Sequence, residues 1–207
     1  MDANLTTLEL ASAYTGLPTS DPTLALYVSA ASQMIASSVG HPLHYRTETQ
    51  HVSASNGPYL WAASGLLNEI TSIEINGNVV APETYAIDSA RSGRIRSTTS
   101  WTSTALYSGR PLSTGIVPSP DVVITGTFGF VTPAQATEAL PRTLPQDLEL
   151  ACLMVIAELK TLGETGTNIA SMSLGGTSVT YASNRQVISA PVRAIIAKYQ
   201  STRGWIS

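Results

Sequence analysis

Three histidines, His41, His44 and His51, are the residues best suited to hold a transition metal, because neutral imidazole is a common zinc ligand. Their setting argues against it. Pro42 separates the first two and breaks the helical geometry that would align them, and no carboxylate cluster accompanies them. They are expected in turns or on the surface. Serines are abundant, but no Gly-x-Ser-x-Gly elbow is there to hold one as a nucleophile. Ser64-Gly65 and Ser92-Gly93 read as turns. The single cysteine, Cys152, excludes an intrachain disulfide and a cysteine-based zinc cage. It sits in the most apolar segment, where a thiol acts as a small core hydrophobe; a reactive thiolate needs an electropositive, partly exposed setting. Gly163-Glu164-Thr165-Gly166 and Gly175-Gly176 lack the Lys-Ser or Lys-Thr that completes a phosphate loop. Glu149 and Glu158 stand nine apart on one helix, about half a turn out of phase, too far round to form an acid/base pair alone. The expectation is no catalytic residue, no metal and no cofactor.

One constellation could bind rather than react. Arg91, Arg94, Arg96 and Arg110 form a basic stretch free of acids, with Trp101 and Tyr107 among them. Arginines and aromatics on a loop can track a nucleic-acid backbone. The same residue types serve protein interfaces, which makes a hairpin with Trp101 anchoring a subunit contact the favoured reading. Arg91, Arg94, Arg96, Trp101 and Tyr107 are therefore candidates for an inter-subunit or DNA-facing loop.

The elements that must position these residues follow from local signals. Thr6-Thr7-Leu8-Glu9 opens a helix that Gly16 ends. Asp21 caps a second, with Pro22 at its first turn. Its apolar positions Leu24, Tyr27, Val28, Ala31, Met34, Ile35 and Val39 recur at helical spacing until Gly40 and Pro42. The middle is β: Tyr45 to Ser53, Pro58 to Ala62, Ile70 to Ile75, a tight Asn76-Gly77 turn, Asn78 to Val80, Tyr85 to Ile87, Arg94 to Arg96, and Asp121 to Phe130. Residues 97–120, rich in Ser, Thr, Gly and Pro, read as a long exposed loop. Leu144-Pro145-Gln146-Asp147 opens a helix that is apolar nearly all round to Leu162, hence buried on most sides, with Gly163 as its stop. A loop, a short strand at Ser178 to Tyr181 and a last helix from Pro191 follow, with Val192, Ile195, Ile196 and Tyr199 on one face. The fold class is α+β, a small helical bundle with a β-rich insertion. The N-terminal helices, the buried helix near 145–162 and the C-terminal helix form the bundle.

Composition narrows the class. The chain has 207 residues, 43% hydrophobic and 12% charged, the latter about half the usual share. A polar but weakly charged surface suits a protein packed against neighbours. The net charge of −3 is not that of a bulk nucleic-acid binder. Charge is uneven: Asp2, Glu9 and Asp21 precede the first basic residue, Arg46, whereas Arg185, Arg193, Lys198 and Arg203 follow the last acid, Glu164. The start lacks a basic, apolar leader, and no run reaches a membrane span, so a cytosol-like site of synthesis and no membrane partner are expected.

The order of elements resembles the head–tail connector (adaptor, or head-completion) proteins of long-tailed bacteriophages. Val39-Gly40-His41-Pro42-Leu43 looks like that family's helix running into a Gly and the first strand. Ile70-Thr71-Ser72-Ile73-Glu74-Ile75-Asn76-Gly77 looks like its strand and hairpin turn, and Tyr85-Ala86-Ile87-Asp88 with Gly93-Arg94-Ile95 the next hairpin. Val122 to Phe130 resembles the strand before the buried helix, and Leu144-Pro145-Gln146-Asp147-Leu148-Glu149-Leu150-Ala151 that helix's opening. Met172 to Tyr181 looks like the segment before the last helix. The resemblance spans roughly residues 5–200 and rests on the fixed order of these motifs. Two stretches depart from the pattern: Glu158-Leu159-Lys160-Thr161-Leu162, where aromatic and Arg residues are usual, and the long segment 97–120.

The resemblance implies a single connector domain over 1–207, with helices within 5–40 and 145–200 and a β-rich insertion over about 44–130. It implies a structural virion protein, not an enzyme, assembled in the host cytoplasm and placed in the neck at the head–tail interface. Its subunits would form a ring, commonly of twelve, beneath the portal protein, and would receive the next neck or tail protein (stopper or tail terminator). Double-stranded DNA would pass through the lumen without sequence specificity during genome ejection. A weakly acidic lumen would let it slide, since basic residues gripping phosphates would hold it. The basic C-terminal segment, with Arg193, Lys198, Tyr199 and Arg203, is the candidate portal contact, and the β region the candidate arm or rim touching neighbours. Two other classes compete. A carbohydrate- or receptor-binding β module would use Trp61, Trp101 and Tyr107 as an exposed platform. A hydrolase with a scattered site would need a deep pocket with convergent polar groups.

Overall fold

A computed structural model describes residues 3–54, 57–98, 101, 121–165, 171–174, 177–180 and 188–200. The fold is α+β, as expected. It divides into two compact units, one formed by Met1–Gly40 with Val131–Gln200, the other by His41–Phe130.

The first unit is helical. Helix α1 (Leu8–Thr15) is capped by the Thr7 hydroxyl, which accepts from the Leu10 amide, and ends at Gly16. Helix α2 (Pro22–Val39) starts where the Asp21 carboxylate accepts from the Thr23 amide at 2.8 Å and ends at Gly40. Leu24, Val28, Ala31, Ile35 and Val39 are buried on one stripe, as the spacing predicts, while Tyr27 and Met34 are half-buried and Ser32, expected on the polar face, is buried with the stripe. Helix α3 (Gln146–Thr165) packs against α1, α2 and the last helix of the unit. From Leu148 to Ile156 it is buried nearly all round, with Leu150 facing out; beyond that, Leu159 and Leu162 are only half-buried. The expected stop at Gly163 is corrected: the helix runs through it to Thr165. A Cβ at Gly163 would meet the Tyr27 hydroxyl at 2.6 Å, so a side chain there would displace the tip of Tyr27.

After α3 the expected loop and single strand are in fact a hairpin among the described residues, antiparallel strands Ser171–Leu174 and Thr177–Thr180. They are numbered β8 and β9, after seven strands of the other unit. Helix α4 (Ala190–Ala197) has Pro191 in its first turn and buries Val192 and Ile196.

The second unit is built from two antiparallel sheets. One has the order β1 (Arg46–Ser53), β7 (Asp121–Phe128), β3 (Leu67–Ile75), β4 (Asn78–Val79); the other has β2 (Tyr59–Trp61), β6 (Arg94–Ser97), β5 (Tyr85–Ser89). Strands β3 and β4 are joined by Asn76-Gly77, both at positive φ (50° and 83°), as the dipeptide predicts. Alternation places Val122, Ile124 and Phe128 of β7 inward. With Leu67, Ile73 and Ile75 of β3, Leu60 of β2 and Ile95 of β6, they form a core shared by both sheets. The pairing of β3 with β7 shifts register twice, and Gly126 sits opposite: a Cβ there would run into the Glu69 carbonyl, so only glycine permits the bulge. The unit's two ends meet. The Phe130 amide donates to the Leu43 carbonyl at 2.7 Å, and His44 bridges Phe130.

Candidate interaction surfaces

The β5–β6 hairpin exposes what the basic stretch can offer. Along β6, Ile95 and Ser97 are buried, so the alternating Arg94 and Arg96 point outward. The neighbouring β2 repeats the pattern around buried Leu60, and its register sets Tyr59 opposite Arg96 and Trp61 opposite Arg94. The Tyr59 and Trp61 rings stand 6.2 Å apart, tilted by 48°. The Arg94 guanidinium lies 5.1 Å from the Tyr59 ring centre and is ion-paired with Asp88 of β5. Trp61 is 40% exposed. The result is an aromatic–arginine face with two cations and one acid.

One candidate for that surface is placed elsewhere. Trp101 is a correction: at 1% exposure it belongs to the core of the β unit, not to an exposed loop. Its indole N–H donates to the Pro58 carbonyl at 3.0 Å, and its ring packs beside Tyr85. Ser97 is buried too, so the start of the segment read as an exposed loop is structural. Arg91 is exposed at the β5–β6 turn, and Tyr107 lies outside the described residues.

The four-stranded sheet carries the opposite chemistry. Register and bulges assemble rows running His51–Val123–Glu74–Val79, Thr49–Thr125–Ser72 and Thr47–Thr127–Glu69 on its outer side. Thr49 and Thr125 share a hydroxyl hydrogen bond of 3.0 Å, and His51 meets Asp121 at 3.3 Å. Glu69 and Glu74 join no ion pair among the described residues. Val79 is widely exposed.

Three of the four C-terminal candidates, Arg193, Lys198 and Tyr199, lie on the helical unit, with a correction to their chemistry. The stretch after Glu164 is acid-free in sequence but not in space, because Asp147 of α3 accepts from the Tyr199 hydroxyl at 2.6 Å and pairs with Lys198 at 3.3 Å. Burial alone would raise the Asp147 carboxyl; the hydrogen bonds from Tyr199 and Lys198, the Lys198 charge and the Leu148 amide together outweigh it and hold the group below its ordinary value. Lys198 and Tyr199 thus fasten α4 to α3. Arg193 remains with Ser38, Ile188, Ile196, Ala197 and Gln200 around an open groove of about 600 Å³. Arg203 lies outside the described residues.

The remaining reactive types are spoken for. Burial pushes the Cys152 thiol up to about 12, so at neutral pH it is a thiol touching the Ser32 hydroxyl, not a nucleophile. Ser32 in turn donates to the Val28 carbonyl and accepts from the Leu5 amide. Glu149 accepts from Arg142 at 2.7 Å and from the Thr6 hydroxyl at 3.3 Å, tying the N-terminal segment to α3. His41 contacts the Pro42 carbonyl, and burial, then the Arg46 charge, push His44 below its ordinary value. Among the described residues no three His, Cys, Asp or Glu side chains converge on a point that could hold a metal ion, and no helix is long and apolar enough to cross a membrane.

Comparison with solved structures places the architecture. The chain shares its fold with a chain of the structure titled "Neck of native GTA particle computed with C12 symmetry", at TM-score 0.58 and 16% identity, over 98% of this chain and 92% of that one. It is likewise similar to a chain of "Neck of empty GTA particle computed with C6 symmetry", at TM-score 0.57 and 16% identity, over 98% and 93%. No family model and no curated protein matches the sequence.

Proposed function

We propose that this chain is a non-catalytic structural subunit of the neck ring of a phage-like particle, joining the portal of the head to the tail. The observation that carries the reading is the likeness to neck chains over nearly the whole length, helices and β unit together. The order of connector-like motifs along the sequence supports it independently. The symmetry of the neighbours' particles supports a ring of twelve, for which six-fold averaging is also admissible. In this reading the ring sits in the virion after assembly in the host cytoplasm and forms a channel for double-stranded DNA. One end meets the portal and the other the next neck or tail protein. Arg193 and the groove beside α4 are the portal-contact candidates, together with residues 201–207; Lys198 and Tyr199 position α4 for it. The arginine-bearing β unit contacts neighbours.

The test is electron microscopy of particles made without this gene. Free tails beside empty or leaking heads are the expected result. Tailed, DNA-filled particles of normal appearance would end the reading.

A further inference from the structure

We infer that the two sheets of the β unit carry the two halves of one contact between copies of this chain. The Tyr59–Trp61–Arg94–Arg96 face of one copy seats on the Glu69–Glu74 face of the next. The inference rests on the ring reading above and names the surfaces that close it.

Both sheets bury their inner sides in a shared core, so their outer sides point away from each other across one unit. A contact between unlike faces repeats head to tail and generates a ring when the rotation closes. A two-fold dimer would instead need a face complementary to itself, and neither face is. The three-stranded side presents Arg94 and Arg96 against the single acid Asp88. The four-stranded side presents Glu69 and Glu74 in rows that hold no Lys or Arg. The apolar parts correspond as well. Trp61 and Tyr59 offer the aromatic surface that interface centres recruit. Val79, 69% exposed, and Val123 beside Glu74 offer an apolar floor among threonines, two of which, Thr49 and Thr125, already hydrogen-bond to each other. Double-stranded DNA fits the arginine face less well. Asp88 already neutralises Arg94, which leaves one excess positive charge where phosphate binding gains from several.

The experiment uses full-length protein in assembled particles, with Arg96→Glu, with Glu74→Lys, and with both changes in the same chain. Copies per particle are counted by quantitative mass spectrometry. Each single reversal sets like charges against each other at every contact and is expected to lower incorporation about tenfold, while the double variant, whose charges match again, returns to within about threefold of the parent. A photo-crosslinking amino acid replacing Trp61 supplies a readout independent of the reversals; the expected product joins position 61 to the segment 67–80 or 121–128 of a second copy. Normal incorporation of both single variants, a double variant no better than the singles, or a Trp61 adduct with DNA or another protein would overturn the inference and leave the neck assignment standing. Absence of the unaltered chain from purified particles would remove both.

Discussion

Trp101 shows how far a side chain's type can mislead about its place. Among serines, threonines and glycines it reads as an exposed anchor, yet it fills the centre of the β unit with its N–H satisfied by Pro58. Trp101→Ala is expected to cost about 3–5 kcal/mol, the range for emptying a buried aromatic site. A fall in the denaturant midpoint checks it, and a change under about 1 kcal/mol would return the residue to the surface. Cys152 and Asp21 are the contrary cases, legible because a thiol in an apolar run and an Asp-Pro before one each have a local cause. Tyr59 was not legible as a surface residue. Its spacing with Trp61 matches that of Arg94 and Arg96, but only the pairing register, more than thirty residues distant in sequence, brings the four together.

At the scale of elements, helix caps and the Asn76-Gly77 hairpin emerged where their residues put them, because each is decided within one turn of chain. Helix α3 outran its expected end because Gly163 keeps helical backbone: it has no positive φ, so a glycine in a helical run is tolerated there rather than acting as a stop. The seating of α4 was equally hidden: Asp147 and Tyr199 meet across the fold. Asp147→Asn removes the Lys198 ion pair and weakens the Tyr199 hydrogen bond, and is expected to cost about 1 kcal/mol. Because the Asp147 carboxyl is held below its ordinary value in the folded protein, its contribution is complete above about pH 4 and is lost as pH falls further, through the folded value. Protection from hydrogen exchange along 190–200, taken relative to the intrinsic rate at each pH, should fall through this acid range in the parent and change less in the variant. Equal acid sensitivity in both would show that another group controls the helix.

At the scale of the molecule, the helical unit is assembled from two stretches of chain and the β unit from the stretch between them. Each has its own buried apolar set: Leu24, Ile35, Leu148 and Val192 in one, Leu60, Ile95, Ile124 and Phe128 in the other. The Leu43–Phe130 hydrogen bond keeps the two ends of the β unit adjacent, the arrangement in which insertions are tolerated. Replacing residues 43–130 with a short Gly-Ser linker is therefore expected to leave a helical protein that melts cooperatively, measured by circular dichroism. A non-cooperative melt would mean that the helices need the sheets. The α-β-α order along the chain made this organisation readable in outline, since a helical pattern that stops and resumes needs an excursion between. The sheet order β1-β7-β3-β4 was not readable, because β1 and β7 pair across more than sixty residues of sequence.

That doubled crossing also has a mechanical side. A pull on the β unit is carried by two covalent segments acting in parallel, each taking part of the tension. Because β1 and β7 begin and finish at the same end of the sheet, both are drawn in the same direction, and no hydrogen bond between them lies in series with the force. A sudden load on the β unit would stretch the pair of connections together rather than unzip the sheet.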